Sequence, residues 1–207
     1  AAFKGQQIAV EQGGVSHFFL LQAMAEAGLK ESDVTLVNLA PDAAAAAYQA
    51  GRVDIAVSYA PFLFTANEAQ KDGRIIYDSS KLKIPTAIAD LIVFDTPFTE
   101  QNPTAIEAFI RGNLKGLEFL NSNRQEGLAI AAEQLGLSPT ELDEQLKGVK
   151  LADAQANLEM LGDPNSNLYL LTPLNDLASF LQTQGKIQQP PSFSNSLEPK
   201  FVKAIAG

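Results

Sequence analysis

The residues with chemistry to offer gather early in the chain. Glu11 to His17 reads EQGGVSH: a carboxylate, two adjacent glycines, Val15, a hydroxyl and the only histidine among 207 residues. Gly13 and Gly14 permit a backbone with positive φ and a close approach of main-chain N–H groups to a ligand. Ser16 offers a hydroxyl and His17 a ring nitrogen to an oxyanion. Plainer roles stand beside these: a tight turn for the glycines, a helix N-cap for Ser16, a surface position for His17. Two later stretches share the character of the first. Ala40-Pro41-Asp42-Ala43 and Ser58-Tyr59-Ala60-Pro61-Phe62 each place small or polar residues just before an apolar segment. Asp42 suits the first turn of a helix, where the dipole favours a negative charge. Tyr59 either lines a cleft or closes a strand, as aromatic residues often do.

The missing residue types set limits. With no cysteine, thiol catalysis, disulfides and Cys-ligated metals are excluded. One histidine removes multi-His metal sites and leaves only His17 for a Ser-His-Asp triad. There is no GxSxG elbow, no HExxH and no phosphate-binding GxxxxGK[ST] loop, and Gly13-Gly14 does not continue into GxGxxG. The carboxylates form no recognisable pair. Binding is therefore expected rather than catalysis, with no catalytic residue, metal or cofactor. A net charge of −9 argues against nucleic acid and anionic membrane as partners. No run of 18 apolar residues is present, the length a membrane span needs. The start AAFKG, without an initiator Met, reads as an internal cut with any targeting segment removed.

From Gly5 to Gln70 the only basic residues are Lys30 and Arg52, and neither lies in the three stretches. An anionic ligand would then be held by neutral donors and helix dipoles, each terminus worth about 0.3–1 kcal/mol when exposed and up to about 2 kcal/mol when partly buried. A strong cation would have to come from the tail of the chain or from outside it. Alternatively the ligand carries an amine or is neutral, and Glu11 or Asp42 meets it.

The elements that must position these residues alternate in type. Strands are predicted at 7–10, 33–39, 53–59, 74–77 and 87–94. Helices are predicted at 16–27, 43–50 and 61–71, closed by Gly28, Gly51 and Gly73, and residues 81–86, with Pro85, form a loop. Strands and helices alternating over short loops indicate right-handed βαβ units and a parallel sheet. In such sheets ligands bind beyond the carboxyl ends of the strands, where the three stretches fall. After residue 94 the pattern turns helical. Asn102-Pro103 opens a helix with Ile106, Ile110, Leu114, Leu117 and Leu120 on one face. A second runs over 127–135, ended by Gly136, and Ser138-Pro139-Thr140-Glu141 starts a third. Residues 168–184 and 199–205 complete the helices, and 150–157 is left unassigned. Two parts are expected: an α/β ligand-binding lobe over 1–90, and a hinge strand with C-terminal helices over 91–207. The second part has apolar faces needing cover that the first does not supply.

These segments resemble a known family. FKGQQIAVEQGGVSHFFLLQAMAEAGLKESDVTLVNL followed by PDAAAAAYQAGRVDIAVSYAPF looks like the second lobe of ABC-importer solute-binding proteins of the nitrate/sulfonate/taurine type, relatives of the thiamine-pyrimidine-precursor proteins. DLIVFDTPF, NPTAIEAFIRGNLKGLEFL, VKLADAQANLEMLG and LEPKFVKAIAG continue the likeness in the family's order over essentially the whole chain. The resemblance implies a periplasmic-binding-protein-like fold of type II, with one mostly parallel sheet lobe plus a helical C-terminal part of the second lobe. Family members carry further residues at the N-terminus, forming most of the first lobe. Many also have an aromatic-Glu-Pro step where this chain has Tyr59-Ala60-Pro61, so a carboxylate of those relatives is absent. The implied function is to trap a small polar or anionic solute (nitrate, sulfonate or taurine, bicarbonate, or pyrimidine-like) in an interlobe cleft and deliver it to an ABC transporter permease. The implied location is periplasmic or extracytoplasmic, lipid-anchored or free. The expected ligand-binding residues are Glu11, Gly13, Gly14, Val15, Ser16, His17, Pro41, Asp42, Ser58, Tyr59 and Pro61. Two rival functions are a ligand-sensing module of a larger protein and an enzyme of the pyrimidine-precursor relatives, the latter poorly served by one histidine. An exposed half-cleft would also let two copies pair as a homodimer through the apolar hinge face.

Overall fold

The structure, a computed structural model, describes residues 3–84 and 86–206. Ala1 and Ala2 of the chain start, and Pro85 of the 81–86 loop, lie outside the described residues. The chain forms two compact units, residues 1–88 with 173–191 and residues 89–172 with 192–207. It passes between them at 88/89, 172/173 and 191/192, where the sequence suggested one boundary near residue 90.

The first unit is built on strand β1 (Gln7–Val10), the middle of a three-stranded parallel sheet. Ile8, Ala9 and Val10 are almost wholly buried, as a strand covered on both faces requires. Strand β2 (Thr35–Asn38) pairs with it from Gln7↔Thr35 to Val10↔Asn38. On its other side Ile8 and Ala9 pair with Ile55 and Ala56 of strand β3 (Ile55–Ala56), and Val57 N–H continues the ladder by donating to Ala9 O. The alternation of side chains sorts the faces. Ile8 and Val10 meet Leu20 and Met24 of helix α1 (Val15–Glu26), with Leu29 and Val57. Ala9 points the other way, toward Ala44 and Ala47 of helix α2 (Pro41–Gln49) and Val53. Alanine facing alanine lets α2 lie close on the sheet. Gly28 and Gly51, at φ +71° and +65°, end α1 and α2 in the left-handed conformation that closes a helix. Helix α3 (Phe62–Ala69) follows β3.

Two predicted strands are corrected. Residues 74–77 and 87–94 are not strands, and the second supplies no hinge strand. Both are apolar and β-prone, but a strand exists only through a partner's hydrogen bonds. Among the described residues none pairs with the outer edge of β3. Ile75 and Ile76 are exposed, and so is the whole run from Leu91 to Phe94, with Val93 at 82%. The predicted strand at 53–59 shrinks for the same reason.

The second unit is helical: α4 (Thr96–Gln101), α5 (Pro103–Ser122), α6 (Arg124–Leu135), α7 (Pro139–Leu146), α8 (Ala154–Gly162) and α10 (Lys200–Ala206). The predicted α5 face is the one that faces inward, with Ile106 almost fully buried and Ile110, Leu114, Leu117 and Leu120 half-buried. A Cβ on Gly127 would lie 2.9 Å from Leu120 Cα, so glycine lets α6 approach α5. Leu128, Ala132 and Leu142 form the α6–α7 core. Helix α9 (Leu171–Thr183) begins at the 172/173 passage, and its body belongs to the first unit.

Candidate functional site

Because β1, β2 and β3 are adjacent and parallel, their carboxyl ends lie on one side of the sheet, and each runs into a helix. The first turns of α1, α2 and α3 therefore gather there. Gly14, Ala40 and Pro61 stand at the N-cap positions, and none has a side-chain hydrogen bond to the helix it opens. The leading N–H groups of α1 and α2 are unclaimed by side chains, and these are the groups a small anion or a polar ligand uses; at α3 the N–H groups of Leu63 and Phe64 already donate to Tyr59 O and Pro61 O, which leaves that of Phe62. Hydrogen bonds join the loops. Gln12 N–H donates to Asn38 Oδ1 at 2.9 Å, tying the first loop to the end of β2. Ser58 Oγ donates to Pro41 O at 2.9 Å, tying the third loop to the second.

The predicted site residues separate into those on the surface of this rim and those beneath it. Gly13 adopts φ +82°, so the turn needs glycine. Gly14 has the Glu11 carboxylate against it: an added Cβ would lie 3.0 Å from Glu11 Oε2. Val15, Asp42, Tyr59 and Pro61 are exposed, and Tyr59 leans on Phe62 with ring centroids 6.2 Å apart. Pro41, at the first position of α2, is buried and presents its carbonyl to Ser58. Ser16 does not take the N-cap role, the plainer of its two readings. Helix α1 starts one residue earlier, Ser16 is its second residue, and it is buried with no capping bond.

His17 is also not on the surface. It is 3% exposed, and its Nδ1 accepts a hydrogen bond from Gly13 N–H at 3.1 Å. The neutral ring then carries its proton on Nε2, which has no hydrogen-bond partner and faces Glu31 Oε1 at 3.6 Å. Phe180 of α9 meets the ring edge-on at 5.6 Å and packs on Phe18 at 5.3 Å. The geometry makes His17 a support under the glycine turn.

Two residues that adjoin this rim escaped the sequence reading. Asn38 carried a signal, a polar residue closing an apolar strand. Lys186 had only the general expectation of a cation from the tail. It stands just after α9, with its side chain against Gly13: an added Cβ there would lie 2.8 Å from Lys186 Cε and 3.2 Å from Nζ. Beside the first loop, Gln12, Glu31, Ser32, Val34 and Leu36 line an open depression of about 490 Å³. It flanks the helix starts and does not contain them. Among the described residues no cluster of three or more His, Asp or Glu is arranged for a metal ion.

A parallel sheet with helices on both faces and uncapped helix starts at the strands' carboxyl ends defines a class of ligand-binding α/β proteins. Residues 1–127 match the NMT1/THI5-like family, and the chain belongs to it. It is 29% identical over 210 residues to the taurine-binding periplasmic protein of Escherichia coli (strain K12), covering 96% of this chain and 62% of that protein. Its fold is shared with the periplasmic aliphatic sulphonate binding protein from Escherichia coli, at TM-score 0.65 and 22% identity, covering 97% of this chain and 65% of that one. A ligand-binding component of an ABC-type import system from Staphylococcus aureus, with zinc bound, aligns at TM-score 0.70 and 14% identity over 97% of this chain and 63% of that one. The chain thus spans about three fifths of the length of these relatives.

Proposed function

We propose that this chain is the solute-binding component of an ABC importer, with its first unit as the ligand-binding lobe. The rim of that unit forms one wall of the site for a small polar or anionic solute. The observation that carries this reading is the meeting of three helix starts without side-chain caps at the carboxyl ends of three adjacent parallel strands, with α1 and α2 supplying most of the open N–H groups. Such donors suit an oxyanion with several oxygens, because each oxygen meets a separate N–H without a protein charge having to move. The taurine- and sulphonate-binding relatives make a sulfonate the first solute to try, ahead of nitrate, bicarbonate and pyrimidines. Gly13, Gly14, Val15 and Asp42 present backbone to the solute, Ser58 and Tyr59 border it, and Glu11 meets an amine where the solute has one. Ser16, His17, Pro41 and Pro61 hold the loops in place. No catalytic step is assigned. The partner is a permease, and the location that of the periplasmic relatives.

Isothermal titration of the chain with taurine, short alkanesulfonates, nitrate, bicarbonate and pyrimidines tests the reading. Saturable one-to-one binding of one of these classes is expected, and heat of dilution alone for every solute would defeat it.

A further inference from the structure

We infer that Lys186 supplies the positive charge of the binding rim and sets its preference for solutes bearing an anionic group; this rests on the solute-binding reading above. The three loops contain no Lys or Arg, and Lys30 and Arg52, the only Lys or Arg between Gly5 and Gln70, lie outside them. The charge arrives from far along the chain, and the fold delivers it by identifiable steps. Phe180 fixes α9 against His17 and Phe18, directly beneath the first loop. Gln184 Nε2 donates to Glu31 Oε2 at 3.3 Å, holding the end of the helix to the same region. Gly185, at φ +66°, then turns the chain. Its N–H donates to Gln182 O and that of Lys186 to Leu181 O, both at 2.9 Å, closing the helix in a Schellman-type turn. The next side chain is Lys186, and its stem lies along Gly13 with the ammonium at the turn.

Two features fit this lysine to bind. Among the described residues no carboxylate oxygen lies within 4.0 Å of its ammonium, although Glu11 stands at the neighbouring Gly14. The absence of a side chain at Gly13 lets the exposed Lys186 stem lie directly over the turn, with Cε 2.8 Å from where a Cβ would stand. A cation beside several dipolar N–H donors adds a charge-assisted hydrogen bond to any anion they hold, and adds nothing for a neutral solute of the same shape.

The test uses the full chain and two probes of similar shape, ethanesulfonate and the neutral ethanesulfonamide, titrated at low and high salt. Lys186→Gln is expected to bind ethanesulfonate about tenfold more weakly at low salt, with a smaller deficit at high salt, while Lys186→Arg and the control Lys203→Ala stay within about threefold of the unaltered chain. Any affinity for ethanesulfonamide should change by no more than about twofold in Lys186→Gln. Unchanged ethanesulfonate affinity in Lys186→Gln overturns the proposal and leaves the importer reading standing. Equal losses for both probes also overturn it, since that marks a structural effect. Failure of the unaltered chain to bind any sulfonate removes sulfonate binding and the role of Lys186 together.

Discussion

The α-helix starts of the two units differ: three of the five described from Thr96 to Gly162 carry a side-chain cap, and none of the three in the first unit does. In the second unit α4, α7 and α8 begin at Asp95, Ser138 and Asp153, and each of these side chains accepts from an N–H of the first turn. Helices α5 and α6 begin at Asn102 and Asn123, which also end the helix before and give no side-chain cap; Asn102 uses its amide on Phe98 O. In the first unit α1, α2 and α3 begin at Gly14, Ala40 and Pro61 without any side-chain cap. A cap is worth about 0.5–2 kcal/mol, so the three uncapped starts forgo stability that α4, α7 and α8 keep. On the proposed reading, the first N–H groups of the uncapped first-unit helices at the strand ends are kept for the solute, whereas the helices of the second unit only support. On that reading stability and binding draw on the same donors.

The strongest way to break the comparison is at His17, which replaces a cap by holding the turn in front of α1. His17→Ala removes a buried ring and leaves Gly13 N–H without its acceptor. The expected loss is about 2–4 kcal/mol of unfolding free energy by urea titration, accompanied by weaker solute binding. His17→Phe fills the space without restoring the acceptor, so it should recover part of the stability and little of the binding. Full recovery of binding by phenylalanine would mean that the nitrogen is unimportant.

Converting one rule into the other is a more direct trial. Ala40→Asp places a capping carboxylate at a residue already in the extended conformation an N-cap adopts, φ −59° and ψ 155°. It should stabilise the chain by about 0.5–1 kcal/mol and weaken an anionic solute by about tenfold, because the new carboxylate claims a donor and repels the ligand. The reverse change, Ser138→Ala in the second unit, should cost about 1 kcal/mol and leave solute affinity unchanged. Thermal unfolding with parallel titrations reads both. A gain in solute affinity for Ala40→Asp would end the idea that these donors face the ligand.

The sequence made some of this legible and hid the rest for physical reasons. Strand β1 and the Ser138–Glu141 box were readable because each is decided within a few residues: a continuous apolar run, and two side chains reaching across one turn. The three loops could be placed because strand–helix alternation dictates which strand ends share a side of the sheet. The runs at 74–77 and 87–94 were misread because β-propensity says what a segment can do and not whether a partner edge exists. The cap reading of Ser16 fails because a serine near a helix start looks like a cap, yet the glycine turn lets α1 begin at Val15. Lys186 could not be placed at all, since its position depends on Phe180 packing and on a turn at Gly185 that no local pattern connects to Gly13.

The smallest predicted effect lies in the second unit and concerns the capping box. Glu141 is held below its ordinary carboxylate pKa of 4.5 by hydrogen bonds from the Ser138 side chain first and the Ser138 backbone N–H second. A carboxyl whose folded pKa is depressed stabilises the fold above its unfolded pKa, and loses that contribution as pH falls through the folded value. The box should therefore be intact at pH 6 and released progressively below about 4.5, with the start of α7 fraying first. Because the carboxylate is solvent-exposed, the effect is small and best followed at the residue. The amide resonances of Ser138 and Glu141 should titrate together, and Glu141→Gln should remove that shared inflection while the rim loops remain unaffected. If Gly13 and Ser58 amides followed the same inflection, the separation between supporting and binding helix starts would fail, because a cap in one unit would then be coupled to the donors of the other.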